Sequence, residues 1–214
     1  EDIYQLPAPD SVIINEVLAH SHGDAPDWIE LYNTTQNPIN ISGWFLSDDD
    51  TDTTALKKFR IPENTYINAK DYLVFYQDQH FGNTSNPGCI QPFAISDDGE
   101  SIFLRSADPQ SQLTGYSQQV SFGPSDTNIT FGKYTKSTNT EDFTLLSTPT
   151  PNAANAYPLV GPIVINEIHY NPTVDNTEFL ELRNITSTPV TLYDYQRNLP
   201  WVINDGVDFT FPNY

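Results

Sequence analysis

Carboxylates recur in this chain at a fixed spacing. Glu16 lies in Val12-Ile13-Ile14-Asn15-Glu16-Val17 and Glu30 in Asp27-Trp28-Ile29-Glu30-Leu31-Tyr32-Asn33. Glu167 and Glu181 hold the same places in Ile163-Val164-Ile165-Asn166-Glu167-Ile168 and Glu178-Phe179-Leu180-Glu181-Leu182-Arg183-Asn184, at a constant offset of 151 residues. Like charges facing each other across a strand pair are unfavourable unless something compensates. Three chemistries fit such a pair. A cation could neutralise it, with Asp27 or Asp24 as a further oxygen ligand, and calcium takes six to eight oxygens. A general acid and base could share the work of proton transfer. The simplest reading is structural: each acid accepts hydrogen bonds from a loop N–H or a hydroxyl.

Other constellations are weaker. Asp48-Asp49-Asp50-Thr51-Asp52 is a second cation loop, with Asp48, Asp50 and Asp52 as oxygen donors. It lacks the Gly and the distal Glu of the EF-hand pattern. His20 and His22, with Asp24, are zinc-ligand types in alternation on one segment, although the repeat keeps only His169. Cys89 has His80 in the same loop, and a thiol nucleophile needs such a base; a small, partly buried residue is the plainer account. No G-x-S-x-G, H-E-x-x-H or Gly-rich phosphate loop occurs. Trp28 and Tyr32, with Phe179 and Tyr195, are aromatic side chains expected to face outward. Trp28 and Tyr32 are therefore the candidate contacts for a protein or carbohydrate ligand.

The elements that must position these residues are strands. Residues 12–18 are β-branched and apolar, and strict alternation puts Ile13, Asn15 and Val17 inward with Glu16 outward. In residues 28–33 Ile29 and Leu31 face the core while Trp28, Glu30 and Tyr32 face out. Trp44 follows Gly43 in an alternating run and is the expected core anchor, because a Trp buries a large area; Trp201 answers it in the repeat. Phe59-Arg60-Ile61-Pro62 is echoed by Phe209-Thr210-Phe211-Pro212. Ser96-Asp97-Asp98-Gly99, between apolar runs 93–95 and 100–105, has the form of a hairpin turn. Further strands are expected over 72–76, 113–122, 128–134 and 143–146, and no helical stripe appears. Short strands at this spacing predict an antiparallel β-sandwich.

The organisation follows from the repeat. Residues 1–10 read as a leader, 11–155 as one complete sandwich, 156–162 as a Pro-containing linker and 163–214 as a partial second copy. A repeat this long means two copies of a domain rather than a solenoid. The second copy, at about 55 residues, is below the size at which one core is comfortable. Its open strand edge predicts self-association through residues 160–214.

The composition excludes some partners. The formal charge is −19, from 28 acids against 9 bases, so neither a phosphate-binding stripe nor a patch for anionic membranes can be built. One Cys permits no intramolecular disulfide. No apolar run is long enough for a membrane-spanning helix. Abundant Tyr, Thr, Asn, Pro and Phe suit an exported β domain. The chain has no Met and reads as a processed or excised segment. Five N-x-S/T triplets, at Asn33, Asn40, Asn83, Asn128 and Asn184, are glycan acceptors in a secreted eukaryotic chain. In a bacterial one they are turns, which is the reading we favour.

Taken together, these motifs resemble the lamin-tail domain in its bacterial, exported form. The carrying residues are Ile14-Asn15-Glu16-Val17, Asp27 to Asn33, Ile41-Ser42-Gly43-Trp44-Phe45-Leu46-Ser47-Asp48, Phe59 to Pro62, Tyr72-Leu73-Val74-Phe75, Val120-Ser121-Phe122-Gly123 and the exit Ser147-Thr148-Pro149-Thr150-Pro151-Asn152-Ala153-Ala154-Asn155. The resemblance implies an immunoglobulin-like β-sandwich without catalytic residues. In nuclear lamins the family serves as an interaction surface. In exported bacterial proteins it accompanies nucleases, phosphatases or surface modules. The expectation is a non-enzymatic binding or structural module at the bacterial cell surface, for adhesion, anchoring or protein or carbohydrate contact. The alternative is an accessory substrate-binding domain of a larger extracellular hydrolase. No cofactor is required; calcium is the one candidate.

Overall fold

The computed structural model describes residues 7–23, 25–173, 177–195 and 197–213. Two compact units divide the chain, Glu1–Leu159 and Val160–Tyr214. The first contains β1 (Val12–Leu18), β2 (Trp28–Asn33), β3 (Ile39–Asn40), β4 (Phe45–Ser47), β5 (Phe59–Arg60), β6 (Tyr66–Ile67), β7 (Tyr72–Tyr76), β8 (Glu100–Ala107), β9 (Leu113–Phe122), β10 (Phe131–Thr135) and β11 (Glu141–Leu145). The only helical segment among the described residues is a single 3-10 turn, Ala55–Lys57, so no helix is long and apolar enough to cross a membrane.

Two antiparallel sheets form the sandwich. One runs in the order β11-β10-β1-β2-β7 and the other β5-β4-β8-β9, with β3 and β6 as a separate small ladder. Their apolar faces close on one core. Val12, Ile14, Val17, Ile29, Leu31 and Phe75 enter it from the first sheet, and Leu46, Phe59, Ile102, Leu104, Tyr116, Val120 and Phe122 from the second. Trp44 is 1% exposed and meets the Tyr116 ring at 5.0 Å. The Tyr116 hydroxyl donates to the Val12 carbonyl and accepts from the Val12 N–H, both at 2.8 Å. That phenol joins the two sheets, since a buried hydroxyl requires partners.

The first strand departs from strict alternation. Ile14 pairs with Leu31 and Glu16 with Glu30, so Asn15 is one residue too many for the ladder. Such a bulge resets which residues point inward. Val12 and Ile14 face the core before it, Val17 and Ala19 after it. The expected inward trio Ile13, Asn15 and Val17 is thus corrected: only Val17 belongs to the core cluster.

The expected hairpin at 96–99 is also corrected. The turn is present, with Gly99 at φ +94° and its N–H donating to the Ser96 carbonyl. Residues 93–95 nevertheless form no strand, because β8 is already paired on both edges, with β4 and β9. Phe93 and Ile95 fill the core instead. The expected linker is shorter at its start than the sequence indicates. Ser147 N–H donates to the Tyr157 carbonyl and Leu159 N–H to the Leu145 carbonyl, so residues 157–159 belong to the first unit.

The second unit contains β12 (Ile163–His169), β13 (Phe179–Asn184), β14 (Tyr193–Asp194), β15 (Leu199–Pro200), β16 (Val202–Ile203) and β17 (Phe209–Thr210), in three antiparallel pairs. β12 and β13 repeat the register of β1 and β2 residue for residue, bulge included. β16 pairs with β17 as β4 pairs with β5. The bond from Ile61 N–H to the Trp44 carbonyl recurs from Phe211 N–H to the Trp201 carbonyl. A turn closed by Asn33, whose amide donates to the Asn37 carbonyl and whose Oδ1 accepts from Thr35 N–H, recurs at Asn184 with Thr188 and Thr186.

Removing the anchor tests this account of the core. Trp44→Ala leaves a cavity between the sheets and is expected to cost about 3–5 kcal/mol, measured by urea unfolding.

Candidate functional site

Glu16 and Glu30 face each other across β1 and β2, on the outer face of the five-stranded sheet as the alternation of β2 requires. They are nevertheless both 0% exposed. The cover is the exit segment 147–155, which crosses this face as a strap. Glu16 Oε1 accepts from the Thr130 hydroxyl at 2.6 Å and from Thr150 N–H at 3.0 Å, and Oε2 accepts from the Thr150 hydroxyl at 2.6 Å. Glu30 Oε1 accepts from Asn15 Nδ2 at 2.7 Å, and Oε2 accepts from Asn152 N–H. All four carboxylate oxygens therefore have donors from the chain itself.

Asn15 and Asn155 complete the arrangement. Asn15 Nδ2 also donates to Asn155 Oδ1 at 2.6 Å, and Asn155 Nδ2 donates to the Lys133 carbonyl at 2.9 Å. The bulge is what turns the Asn15 amide toward the strap. Close approach of the strap depends on Gly132, opposite Glu16 in the β1–β10 ladder. A Cβ there would lie 2.5 Å from Leu146 Cδ1 and 2.9 Å from Asn155 Nδ2. Sequence reasoning singled out the two acids and Asn15 but missed their partners Thr130, Thr150, Asn152 and Asn155. The only signal was the Thr-Pro-Asn exit run, more than a hundred residues downstream.

Burial acts on Glu30 electrostatically. Desolvation of Glu30, the largest effect, raises its pKa from 4.5 to about 7. Hydrogen bonds from Asn152 and Asn15 pull the other way, and the Glu16 charge adds to the rise. The Tyr72 phenol, also raised, responds first to its own burial and then to Tyr32, Glu30 and Asp71. Asp27 does not join the pair; its Oδ1 accepts from Ser21 N–H at 2.9 Å.

The remaining candidates are dispersed. Among the described residues no group of three or more His, Cys, Asp or Glu side chains could hold a metal ion. Asp48 binds Lys58 Nζ at 2.5 Å, with Asp49 3.8 Å from the same nitrogen. Asp52 Oδ1 accepts from the Thr54 and Ala55 N–H groups, which holds its carboxyl below its ordinary pKa. Asp50 is exposed beside them. This loop is built as a turn in which a buried lysine faces Asp48 and Asp49 and Asp52 binds the following backbone. His20 bonds the Thr127 hydroxyl, and its Nδ1 lies 3.2 Å from the Ser125 carbonyl. His22 is exposed, and Asp24 lies outside the described residues. Cys89 contacts the Phe81 carbonyl and burial pushes its thiol up. His80 Nδ1 accepts from the Tyr76 N–H at 2.9 Å.

The aromatic platform differs from expectation. Trp28 does lie on the outer face, yet it is 4% exposed and packed with Leu18, Val74 and Tyr76. Its neighbours on β1 and β7 are large enough to roof it. Tyr32 is half-buried and stacks on Tyr72 at 4.7 Å. A groove of about 490 Å³ opens elsewhere in the first unit, lined by Pro38, Asn40, Ser42, Arg60, Glu63 and Pro109 among others. Arg60 and Glu63 form an ion pair at 2.8 Å there.

The two sheets, the Trp44 anchor and the outer-face acid pair define an immunoglobulin-like β-sandwich module. Within that class the match is specific: the model of the lamin tail domain family covers residues 5–121, more than half of the chain. The chain belongs to that family. Comparison with curated proteins and with solved structures gives no match. Thr130 and the strap lie beyond the matched residues.

The strap predicts a pH dependence. Between about pH 4.5 and 7 folded Glu30 keeps a proton that the unfolded chain has released, so stability falls as pH rises through this window. Urea midpoints compared across it should fall more steeply in the native chain than in Glu30→Gln.

Proposed function

We propose that the chain is a non-catalytic binding or structural module of an exported bacterial protein, serving adhesion, anchoring or contact with a protein or carbohydrate at the cell envelope. One observation carries this reading. Glu16 and Glu30, which in the sequence look most like catalytic equipment, are sealed under the strap with every oxygen hydrogen-bonded. Water and substrate have no route to them without unfolding of the strap. Their recurrence at Glu167 and Glu181 is then inherited with the fold, and residues 163–214 are a partial second lamin-tail copy. The repeated register, bulge and Asn turn support that assignment.

The groove beside β3 suits the contact. Tyr66 is 54% exposed, and its hydroxyl accepts from Asn40 Nδ2 at 3.2 Å. The Asn40 amide and the Arg60–Glu63 pair line the groove and the exposed Tyr66 adjoins it through Asn40, a combination that fits a carbohydrate, whose rings stack on aromatics while its hydroxyls need both donors and acceptors. Co-sedimentation with purified bacterial cell-wall sacculi is expected to retain the native chain and to lose Tyr66→Ala. No retention of the native chain would overturn the carbohydrate reading.

Turnover of phosphomonoester or phosphodiester substrates that disappears in Glu16→Gln or Glu30→Gln would establish an enzyme instead. Binding of such substrates without turnover would favour an accessory domain of a hydrolase. The module requires no cofactor in this reading. Addition of calcium is expected to leave the melting temperature unchanged, and a rise abolished by Asp50→Asn would put a cation in the 48–52 loop.

A further inference from the structure

Lys58 is the only buried Lys or Arg among the described residues. Its Nζ lies 2.5 Å from Asp48 Oδ1, and the two side chains are 9% and 17% exposed. Asp49 Oδ2 is 3.8 Å from the same nitrogen, on a side chain that is 36% exposed. Asp48 is therefore both the nearer and the drier partner. Two charges held away from water are costly, and a neutral group in their place relieves that cost.

The surrounding backbone keeps amine and carboxyl together. Asp48 follows β4 and Lys58 precedes β5, and these two strands pair. On the Asp48 side the Ser47 hydroxyl donates to the Ala55 carbonyl at 2.6 Å and accepts from Asp49 N–H at 3.0 Å. On the Lys58 side its carbonyl accepts from the N–H groups of Ile90 at 2.8 Å and Gln91 at 3.0 Å. Holding two reactants in this way makes their reaction effectively unimolecular. A third carboxyl stands nearby. Glu100 opens β8, the other neighbour of β4, and its Oε1 accepts from Ser96 N–H at 2.5 Å. Burial raises the pKa of Glu100, the Ser96 hydrogen bond and the Lys58 charge oppose the rise, and the Asp48 charge adds to it. Glu100 is thus within electrostatic reach of both partners and inclined to hold a proton.

We propose that Lys58 and Asp48 condense into an intramolecular isopeptide bond, made by the chain itself. The ammonium first gives one proton to the Asp48 carboxylate, leaving a neutral amine and a carboxylic acid. The Nζ lone pair then attacks Asp48 Cγ, so that an N–C bond forms and a C–O bond breaks. The departing hydroxyl takes a second amine proton, relayed by Glu100, and leaves as water. One proton stays on the amide nitrogen, where Asp49 is at hand to accept it. No oxidant or co-reactant enters, and two opposite charges become one neutral amide. The second unit lacks the pair: the β16–β17 register puts Asp205 at the place of Asp48 and Asp208 at that of Lys58. One bond per chain is expected. The inference stands apart from the ligand of the groove, so failure of the cell-wall test does not touch it.

The measurement is intact-mass spectrometry of the full 214-residue chain, denatured after incubation at neutral pH. The chain is expected to be one water lighter than its sequence. Trypsin does not cut after an acylated lysine, so Lys58-Phe59-Arg60 should stay joined through its side chain to the peptide that carries Asp48. Lys58→Arg keeps a positive charge beside Asp48 and should restore the full mass. Glu100→Gln should slow the loss of water by about a hundredfold, and the same rate as in the native chain would overturn the relay. A native chain at full mass that trypsin cuts after Lys58 would overturn the proposal whether or not the variants fold. A loss of water that persists in Lys58→Arg would overturn it too, placing the dehydration at a succinimide of Asp98-Gly99 or Asp205-Gly206.

Discussion

The first unit depends on how it accommodates two acids facing each other in a dry place. Like charges across a ladder must be hydrated, neutralised by a cation or supplied with donors. This chain supplies donors from its own exit segment, and burial holds Glu30 toward its protonated form. Thr150 and Asn152 deliver backbone and hydroxyl donors, Asn15 and Asn155 lock amide to amide, and Gly132 gives the room. The consequence reaches beyond the acids. The segment leaving the sandwich is fixed to the outer face of its first two strands, so the beginning and end of the domain are one polar cluster. A buried polar network that is fully satisfied specifies a unique arrangement, and here it fixes where the chain departs.

Different levels of this structure were legible in the sequence to different degrees. The sandwich class, the inward Ile29 and Leu31 and the Trp44 anchor follow from periodicity and side-chain size, which are local. The outward set of β2 follows as well. What alternation does not carry is depth: Trp28 and Glu30 point outward and are still buried, because the cover comes from distant residues. The bulge at Asn15 escaped for a related reason. A strand with one residue too many has the same composition as one without, and only its partner reveals the mismatch. The turn at Asp98-Gly99 was read correctly as a turn and wrongly as a hairpin, since a turn signal reports local backbone preference while pairing is decided by which edges are still free.

The second unit repeats the local geometry of the first without repeating its burial. β12 and β13 keep the register, Asn166 still donates to Glu181, and the Asn184 turn closes as Asn33 does. These are short-range features, fixed within a strand pair. Burial is the part that does not persist: Glu167 and Glu181 lie exposed, and the aliphatic residues that make a core in one unit make a surface in the other. Local hydrogen bonding thus sets the shape of these strands, and the opposing sheet and strap decide whether they form an interior.

The bulge shared by β1 and β12 has a further consequence, for assembly. A one-residue slip of either strand would carry a glutamate into the apolar interior, so within each unit the register is protected. Between units there is no such protection. Val12–Leu18 and Ile163–His169 carry the same extra residue at the same place and match the same partner spacing. An exchange in which one strand takes the other's seat incurs no register penalty. Newly made or refolding chains therefore face a competitor built into their own repeat, the kind of misassembly to which tandem domains are prone. The strap does not correct it, because Asn166 holds the place of Asn15 and would meet Asn155 with the same amide.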